Sequence, residues 1–72
     1  MLNIKYLKRA QAKISDPRRL VIAVTKRTRM LSHGGKPMIK IDPNTMDKEG
    51  LNNNINVALL EVAEGLLILE NG

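Results

Sequence analysis

The sequence predicts an all-α fold of three helices, with one extended loop between the second and third, in a single domain over residues 1–72. Three observations favour this fold class. Apolar residues recur at helical spacing in three segments, capping residues stand before each segment, and glycine or proline separates them. With no cysteine and one tyrosine as the only aromatic residue, the core must be aliphatic. We therefore expect too little self-contained core for a rigid globule.

The first helix is expected over about residues 3–14. Its apolar positions have helix-compatible spacing and are Ile4, Leu7 and Ile14. Asn3 suits the N-cap, because its side chain can accept a hydrogen bond from a free N–H group of the first turn. Lysine and arginine fill most of the remaining positions, so this helix is amphipathic.

The second helix is expected over about residues 17–33. Asp16 suits its N-cap and Pro17 its first position, where the missing N–H of proline costs nothing. The apolar positions are Leu20, Val21, Val24 and Leu31. The second half carries the cations Lys26, Arg27 and Arg29, at the end of the helix where the macrodipole favours positive charge. Gly34 and Gly35 then end the helix, since glycine adopts the left-handed C-cap conformation without strain.

Residues 36–50 are expected to form an extended linker with a turn, and the third helix to follow over about residues 52–69. Its apolar positions repeat with spacings of 4, 3, 4 and 3 and are Ile55, Leu59, Val62, Leu66 and Leu69. Further apolar residues widen this stripe, which suggests a partner. Gly65 is expected inside the helix. The acidic residues expected to face water or a basic surface are Glu61, Glu64 and Glu70.

Charge is distributed unevenly along the chain. Residues 1–41 carry eleven of the twelve lysines and arginines and one acid, whereas residues 42–72 carry one lysine and six acids. Basic residues scattered at helical spacing favour a solvated or partner-facing surface over a nucleic-acid site. The longest apolar run is too short for the roughly 20 residues of a membrane span, so we expect a cytoplasmic protein without membrane contact.

No segment carries a convincing catalytic or metal-binding motif. The Gly34-Gly35-Lys36 segment lacks the first glycine and the Ser or Thr of a phosphate loop, and residues 42–53 lack the glycine and final glutamate of a calcium loop. One histidine without cysteine is too few ligands for structural zinc. We expect no catalytic residue, no metal and no cofactor.

Three blocks of the sequence carry a family resemblance: residues 20–30, residues 34–36 and residues 57–66. In their order and separation they resemble the omega subunit of bacterial DNA-directed RNA polymerase, over roughly residues 14–68. The resemblance implies a non-catalytic subunit that binds the beta-prime subunit, promotes assembly and stability of the transcribing enzyme, and associates with the nucleoid through the polymerase. The N-terminus lacks the start that contributes to guanosine tetraphosphate binding in some members, so that site is not carried over.

The residues expected to bind the partner lie on the second and third predicted helices. They are Leu20, Val24, Arg27, Leu31, Leu59, Val62, Gly65 and Leu66. Of these, we expect the third helix to be the principal contact, with Gly65 allowing close approach of another chain. No direct sequence-specific contact with nucleic acid is expected.

Two other functions fit parts of the sequence. One is a small basic DNA-binding regulator in which the second helix enters the major groove, although the long connection after Gly34 is unlike the compact turn of a helix-turn-helix. The other is a homo-oligomer formed through the apolar stripe of the third helix.

Overall fold

The computed structural model describes residues 2–67, and within that range the chain has four helices and no strand. The helices are α1 (Ile4–Lys13), α2 (Pro17–Ser32), α3 (Met46–Glu49) and α4 (Asn54–Ala63). The predicted all-α class is confirmed. The predicted number of three helices is wrong for the described residues, because α3 forms where an extended linker was expected.

Side-chain caps begin the three longer helices, and for α1 and α2 they are the predicted residues. The capping residues are Asn3, Asp16 and Asn53. Each side-chain oxygen accepts a hydrogen bond from a backbone N–H two or three residues later, at 3.1, 3.0 and 3.0 Å respectively. These bonds satisfy donors that have no partner inside the helix, which is why a short polar side chain at each position begins a helix.

Helix α4 ends at Ala63, so the prediction that it continues through Gly65 is wrong. Gly65 has φ +72°, in the left-handed region. The N–H of Leu66 donates to the carbonyl of Glu61 at 2.9 Å, and the N–H of Gly65 donates to the carbonyl of Val62 at 3.0 Å. This pair of bonds is the Schellman ending of a helix, which glycine favours because it lacks a Cβ. The periodic pattern continued past the residue that ends the helix.

The end of α2 repeats this geometry and confirms the predicted stop. Gly34 has φ +95°, and the N–H of Gly35 donates to the carbonyl of Met30 at 2.9 Å. A Cβ added to Gly35 would lie 2.7 Å from that carbonyl oxygen. Two glycines in sequence are therefore required here, one for its φ and one for its lack of a side chain. Leu69, the last residue of the predicted third helix, and Glu70 lie outside the described residues.

The connection between α2 and α4 is folded rather than extended. A turn closes with a hydrogen bond from the N–H of Thr45 to the carbonyl of Asp42 at 3.1 Å, and α3 follows at once. After α3, the chain returns to the core at Leu51, which is buried. Met46 packs against the same core. The connection thus covers part of the core that the predicted linker would have left open.

Helix α4 is the centre of the fold. It packs against both α1 and α2, whereas α1 and α2 make few contacts with each other. The buried core cluster is Tyr6, Ala10, Leu20, Val24, Leu31, Leu51, Val57, Ala58, Leu59 and Val62. A helix between two others needs apolar residues on two sides, so the width of the α4 stripe is explained within the chain itself.

Candidate interaction site

A buried ion pair joins α2 to α4. The Arg27 Nε atom donates to Glu61 Oε1 at 2.6 Å, and an Arg27 terminal nitrogen donates to Glu61 Oε2 at 3.0 Å. Arg27 is 6 % exposed and Glu61 is 0 % exposed. Two parallel hydrogen bonds between a guanidinium and a carboxylate fix both distance and orientation. The pair therefore sets how α2 is rotated against α4.

The connection after α2 completes the hydrogen bonds of this pair. The same Arg27 terminal nitrogen donates to the carbonyl of Lys36 at 2.8 Å, and the N–H of Met38 donates to Glu61 Oε2 at 2.7 Å. Burying an ion pair is tolerable only when its remaining hydrogen-bonding groups are satisfied. We call these four residues, Arg27, Lys36, Met38 and Glu61, the buried polar cluster.

Electrostatics keep the buried cation charged. The side-chain hydrogen bonding that Arg27 donates to Glu61 raises the pKa of Arg27 and outweighs the opposing effect of burial, and the negative charge of Glu61 acts in the same direction as the hydrogen bonding. Arg27 is thus a permanent positive charge inside the fold. This buried charge is stabilised by the Glu61 carboxylate beside it.

Both members of this pair correct the sequence interpretation. Glu61 was expected to face water or a basic surface, and the positive charge of Arg27 to serve a partner, yet both side chains are buried against each other. The sequence did contain an indication that Arg27 is buried. Arg27 stands three residues after Val24 and four before Leu31, on the inner face of α2. For Glu61 the signal was an acid in a helix that is apolar on nearly every side.

A second polar cluster, which the sequence did not predict, connects α1 to the α3 end of the connection. The buried Asn56 side chain accepts from the N–H of Asn3 at 2.7 Å and donates to the carbonyl of Gly50 at 2.9 Å. Asn3 Nδ2 donates to the carbonyl of Glu49 at 2.9 Å, and the Tyr6 hydroxyl donates to Glu49 Oε2 at 3.2 Å. Burial is the largest cause that raises the pKa of Tyr6, and the hydrogen bond to Glu49 is the next largest.

The residues expected to bind a partner divide into two groups. Six are buried in the chain's own fold: Leu20, Val24, Arg27, Leu31, Leu59 and Val62. The other two, Gly65 and Leu66, are exposed at the end of α4. Leu66 is 43 % exposed. A Cβ on Gly65 would meet nothing within 4 Å, so its role within the described chain is backbone conformation rather than close packing.

The end of α4 lies between two open grooves. One, of about 420 Å³, is lined by the α1–α2 junction together with Val62, Gly65 and Leu67. The other, of about 370 Å³, is lined by Leu66, Leu60, Glu64 and residues 38–40 of the connection. The lining of each groove includes both apolar and charged side chains. The grooves offer contact surface beside Leu66, and their lining includes no nucleophile positioned by a base.

Among residues 2–67, no three histidine, aspartate or glutamate side chains lie together as metal ligands would. No helix in that same range combines the length and apolar character needed to cross a bilayer. Comparisons with protein-family models, with curated proteins and with solved structures find no match to this chain.

Proposed function

We propose that this chain is a non-catalytic subunit of DNA-directed RNA polymerase, similar to the omega subunit, that binds the beta-prime subunit and promotes assembly and stability of the enzyme. The observation that carries the proposal is the buried polar cluster. Arg27 belongs to the first block of the family resemblance, Lys36 to the second and Glu61 to the third. The three blocks therefore meet at one point of the fold.

This meeting point supports the resemblance because the blocks are far apart in sequence. Arg27 and Glu61 are separated by 34 positions, and the middle block contributes a backbone carbonyl to the same guanidinium. If the three segments resembled the family only by chance, they would not be expected to meet at one buried ion pair. If the three blocks form one structural unit, such a meeting point is expected.

In this proposal the partner contacts the chain at the end of α4. The buried residues Leu20, Val24, Leu31, Leu59 and Val62 hold that end in place through the core, and Leu66 is the predicted residue that presents an apolar side chain to a partner. Burial of one leucine side chain contributes about 1.5 to 3 kcal/mol. The two adjacent grooves extend the surface around it.

The test is retention of polymerase by a tagged chain carrying Leu66→Asp. Because Leu66 is half-exposed, the free variant should keep wild-type helix content by circular dichroism, yet it should lose the polymerase since an unpaired carboxylate would be buried at the contact. Ile55→Asp is the matched control. Ile55 is 41 % exposed and lies at the opposite end of α4, so this variant should retain the polymerase.

Two results would contradict the proposal in different ways. Wild-type retention by Leu66→Asp would refute the contact at the end of α4 while leaving the function in place. Failure of the wild-type chain to associate with polymerase lacking its smallest subunit would refute the function itself.

The alternative of a DNA-binding regulator has one observation in its favour, the exposed cations of α2. Against it, residues 33–45 separate α2 from the next helix, and α1, which residues 14–16 join to α2 by a turn of suitable length, makes few contacts with α2, unlike the paired helices of a helix-turn-helix. The salt dependence of DNA binding by the free chain distinguishes a DNA-binding regulator from a polymerase subunit.

A further inference from the structure

The outward face of α2 exposes aliphatic side chains. Val21 is 62 % exposed and Ile22 is 46 % exposed, although both stand in a well-formed helix whose inner face is buried. Thr25 follows Val21 by one turn and is exposed as well. At 100° per residue, Ile22 lies nearly opposite Leu20 and Leu31, so no rearrangement of the core brings it inside.

Cations border these aliphatic side chains. Arg18 and Lys26 lie one turn before and after Ile22, and Arg29 lies two turns after it on the same side of α2. Within residues 2–67, the side chains of these three cations have no hydrogen bond or ion pair. Arg9 and Arg27, by contrast, are each paired with a glutamate of the chain. We call the face formed by Arg18, Val21, Ile22, Thr25, Lys26 and Arg29 the outer α2 face.

We propose that the outer α2 face is a docking surface for an acidic amphipathic segment of a partner protein. The partner's aliphatic side chains pack on Val21 and Ile22, and its carboxylates pair with Arg18, Lys26 and Arg29. The inference rests on the proposed function and names the chemistry of the polymerase surface at a second contact, on α2 rather than beyond the end of α4 at Leu66. Charge complementarity favours this occupant, because three unpaired cations around an aliphatic centre match carboxylates around an aliphatic centre.

A protein segment fits this face better than nucleic acid or a membrane does. Phosphates would pair with the cations but leave Val21 and Ile22 against a polar backbone, and the chain's only aromatic side chain, that of Tyr6, is buried and cannot stack on bases. A helix that lies in a membrane interface buries a broad apolar face rich in Trp, Phe and Leu. The broad apolar face of α2 already packs inside the fold, and its outer face offers two aliphatic residues.

The outer α2 face is held rigidly. The two hydrogen bonds between Arg27 and Glu61 prevent α2 from rotating about its axis, so Val21 and Ile22 keep one orientation. Side chains on a preorganised helix lose less freedom on binding than side chains on a loop.

The experiment uses the full tagged chain and polymerase purified without its smallest subunit. A photoreactive benzophenone residue replaces Ile22, and in a matched control it replaces Ile4, which is 53 % exposed on α1. The position 22 probe should cross-link to a polymerase peptide that contains Asp or Glu beside aliphatic residues. The Ile4 probe should give a much weaker product or none. Cross-linking from position 22 to a peptide without carboxylates would overturn the inference.

Charge reversal provides an independent measurement. Arg29→Glu should weaken polymerase binding about tenfold, mainly through slower association, while Lys8→Glu on the exposed face of α1 should change it much less. Equal binding by wild type and Arg29→Glu would refute the inference and leave the proposed function standing. Absence of binding by the wild type would refute both.

Two further probes decide between classes of partner. A duplex DNA of random sequence and vesicles containing anionic phospholipid are each offered to the free chain at physiological salt. No stable binding to either is expected. Tight binding to one of them that Val21→Ser with Ile22→Ser abolishes would overturn the inference in favour of that ligand.

Discussion

Replacing Glu61 with glutamine tests whether the buried polar cluster holds the fold. The carboxylate accepts three hydrogen bonds, two from Arg27 and one from the N–H of Met38. Glutamine has nearly the same shape but offers one oxygen and one NH₂ group. Whichever way its amide is oriented, at least one donor then faces another donor, and the Arg27 cation loses its counter-charge inside the core.

The expected loss is large relative to the stability of so small a domain. Removing one partner of a buried ion pair costs about 3 to 5 kcal/mol. At roughly 0.05 to 0.15 kcal/mol per residue, a chain of this length has a free energy of unfolding of about 4 to 11 kcal/mol. Glu61→Gln should therefore remove a large part of it.

The measurement is urea unfolding followed by far-ultraviolet circular dichroism, with Glu64→Gln as the matched control. Glu64 lies three residues further along the chain and pairs with Arg9 at 2.8 Å, but both side chains are almost half-exposed. Exposed pairs contribute under about 1 kcal/mol, so this variant should unfold close to the wild-type urea midpoint. Equal shifts of the midpoint in the two variants would refute the view that Arg27 depends on its buried counter-charge.

Three other predictions follow from single contacts. Gly65→Ala should lower the free energy of unfolding by about 1 to 2 kcal/mol, because φ is +72° while a Cβ would meet no neighbour; an unchanged or raised urea midpoint would place Gly65 inside a helix after all. The raised pKa of Tyr6 means that its contribution to stability is complete below pH 10.0 and is lost as pH rises through the raised value. Wild type should therefore lose more stability than Tyr6→Phe between neutral and strongly alkaline pH, and parallel losses would contradict this. The free chain should bind DNA weakly, without sequence preference, and release it as salt rises, whereas nanomolar sequence-selective binding at physiological salt would favour the regulator.

The starts of the three longer helices were predictable from the sequence because each depends on one local side-chain hydrogen bond. Asn3 and Asp16 cap the helices to which the sequence assigned them, and Asn53, one of three adjacent asparagines, caps α4. The end of α2 was equally local, since two adjacent glycines stop a helix in almost any context. Features set within about one turn of chain are the ones that the sequence predicts well.

The sequence around Gly65 is compatible with two structures, a helix interior and a helix end. Glycine is compatible with a helix interior at a cost of about 1 kcal/mol, and it is also the preferred residue at a helix end. Leu66 and Leu69 continue the apolar repeat and favoured the first interpretation. Whether Gly65 continues the helix or ends it depends on what packs beyond the helix. A periodic pattern carries no information about that packing.

The buried polar cluster could not be predicted as a pair, although each member left a signal. Arg27 stands among the inward positions of α2, and Glu61 stands in an apolar helix. Their contact spans 34 positions and depends on the folded connection that supplies Lys36 and Met38. Local periodicity places Arg27 on the inner face of α2, but it places Glu61 outside the apolar stripe of α4 and shows the partner of neither side chain.

The buried ion pair and the outer α2 face are linked through the orientation of one helix, and this leads to a final prediction. Aliphatic contacts such as those of Leu20 and Val24 tolerate small rotations of α2, whereas two parallel hydrogen bonds do not. Replacing the pair with Arg27→Met and Glu61→Leu should recover much of the stability that Glu61→Gln loses, since apolar replacements of buried ion pairs are often neutral or stabilising. Cross-linking of polymerase from position 22 should nevertheless decrease in this double variant, because α2 is no longer fixed in rotation. If cross-linking and urea midpoint both match the wild type, the ion pair is dispensable for orienting the outer α2 face.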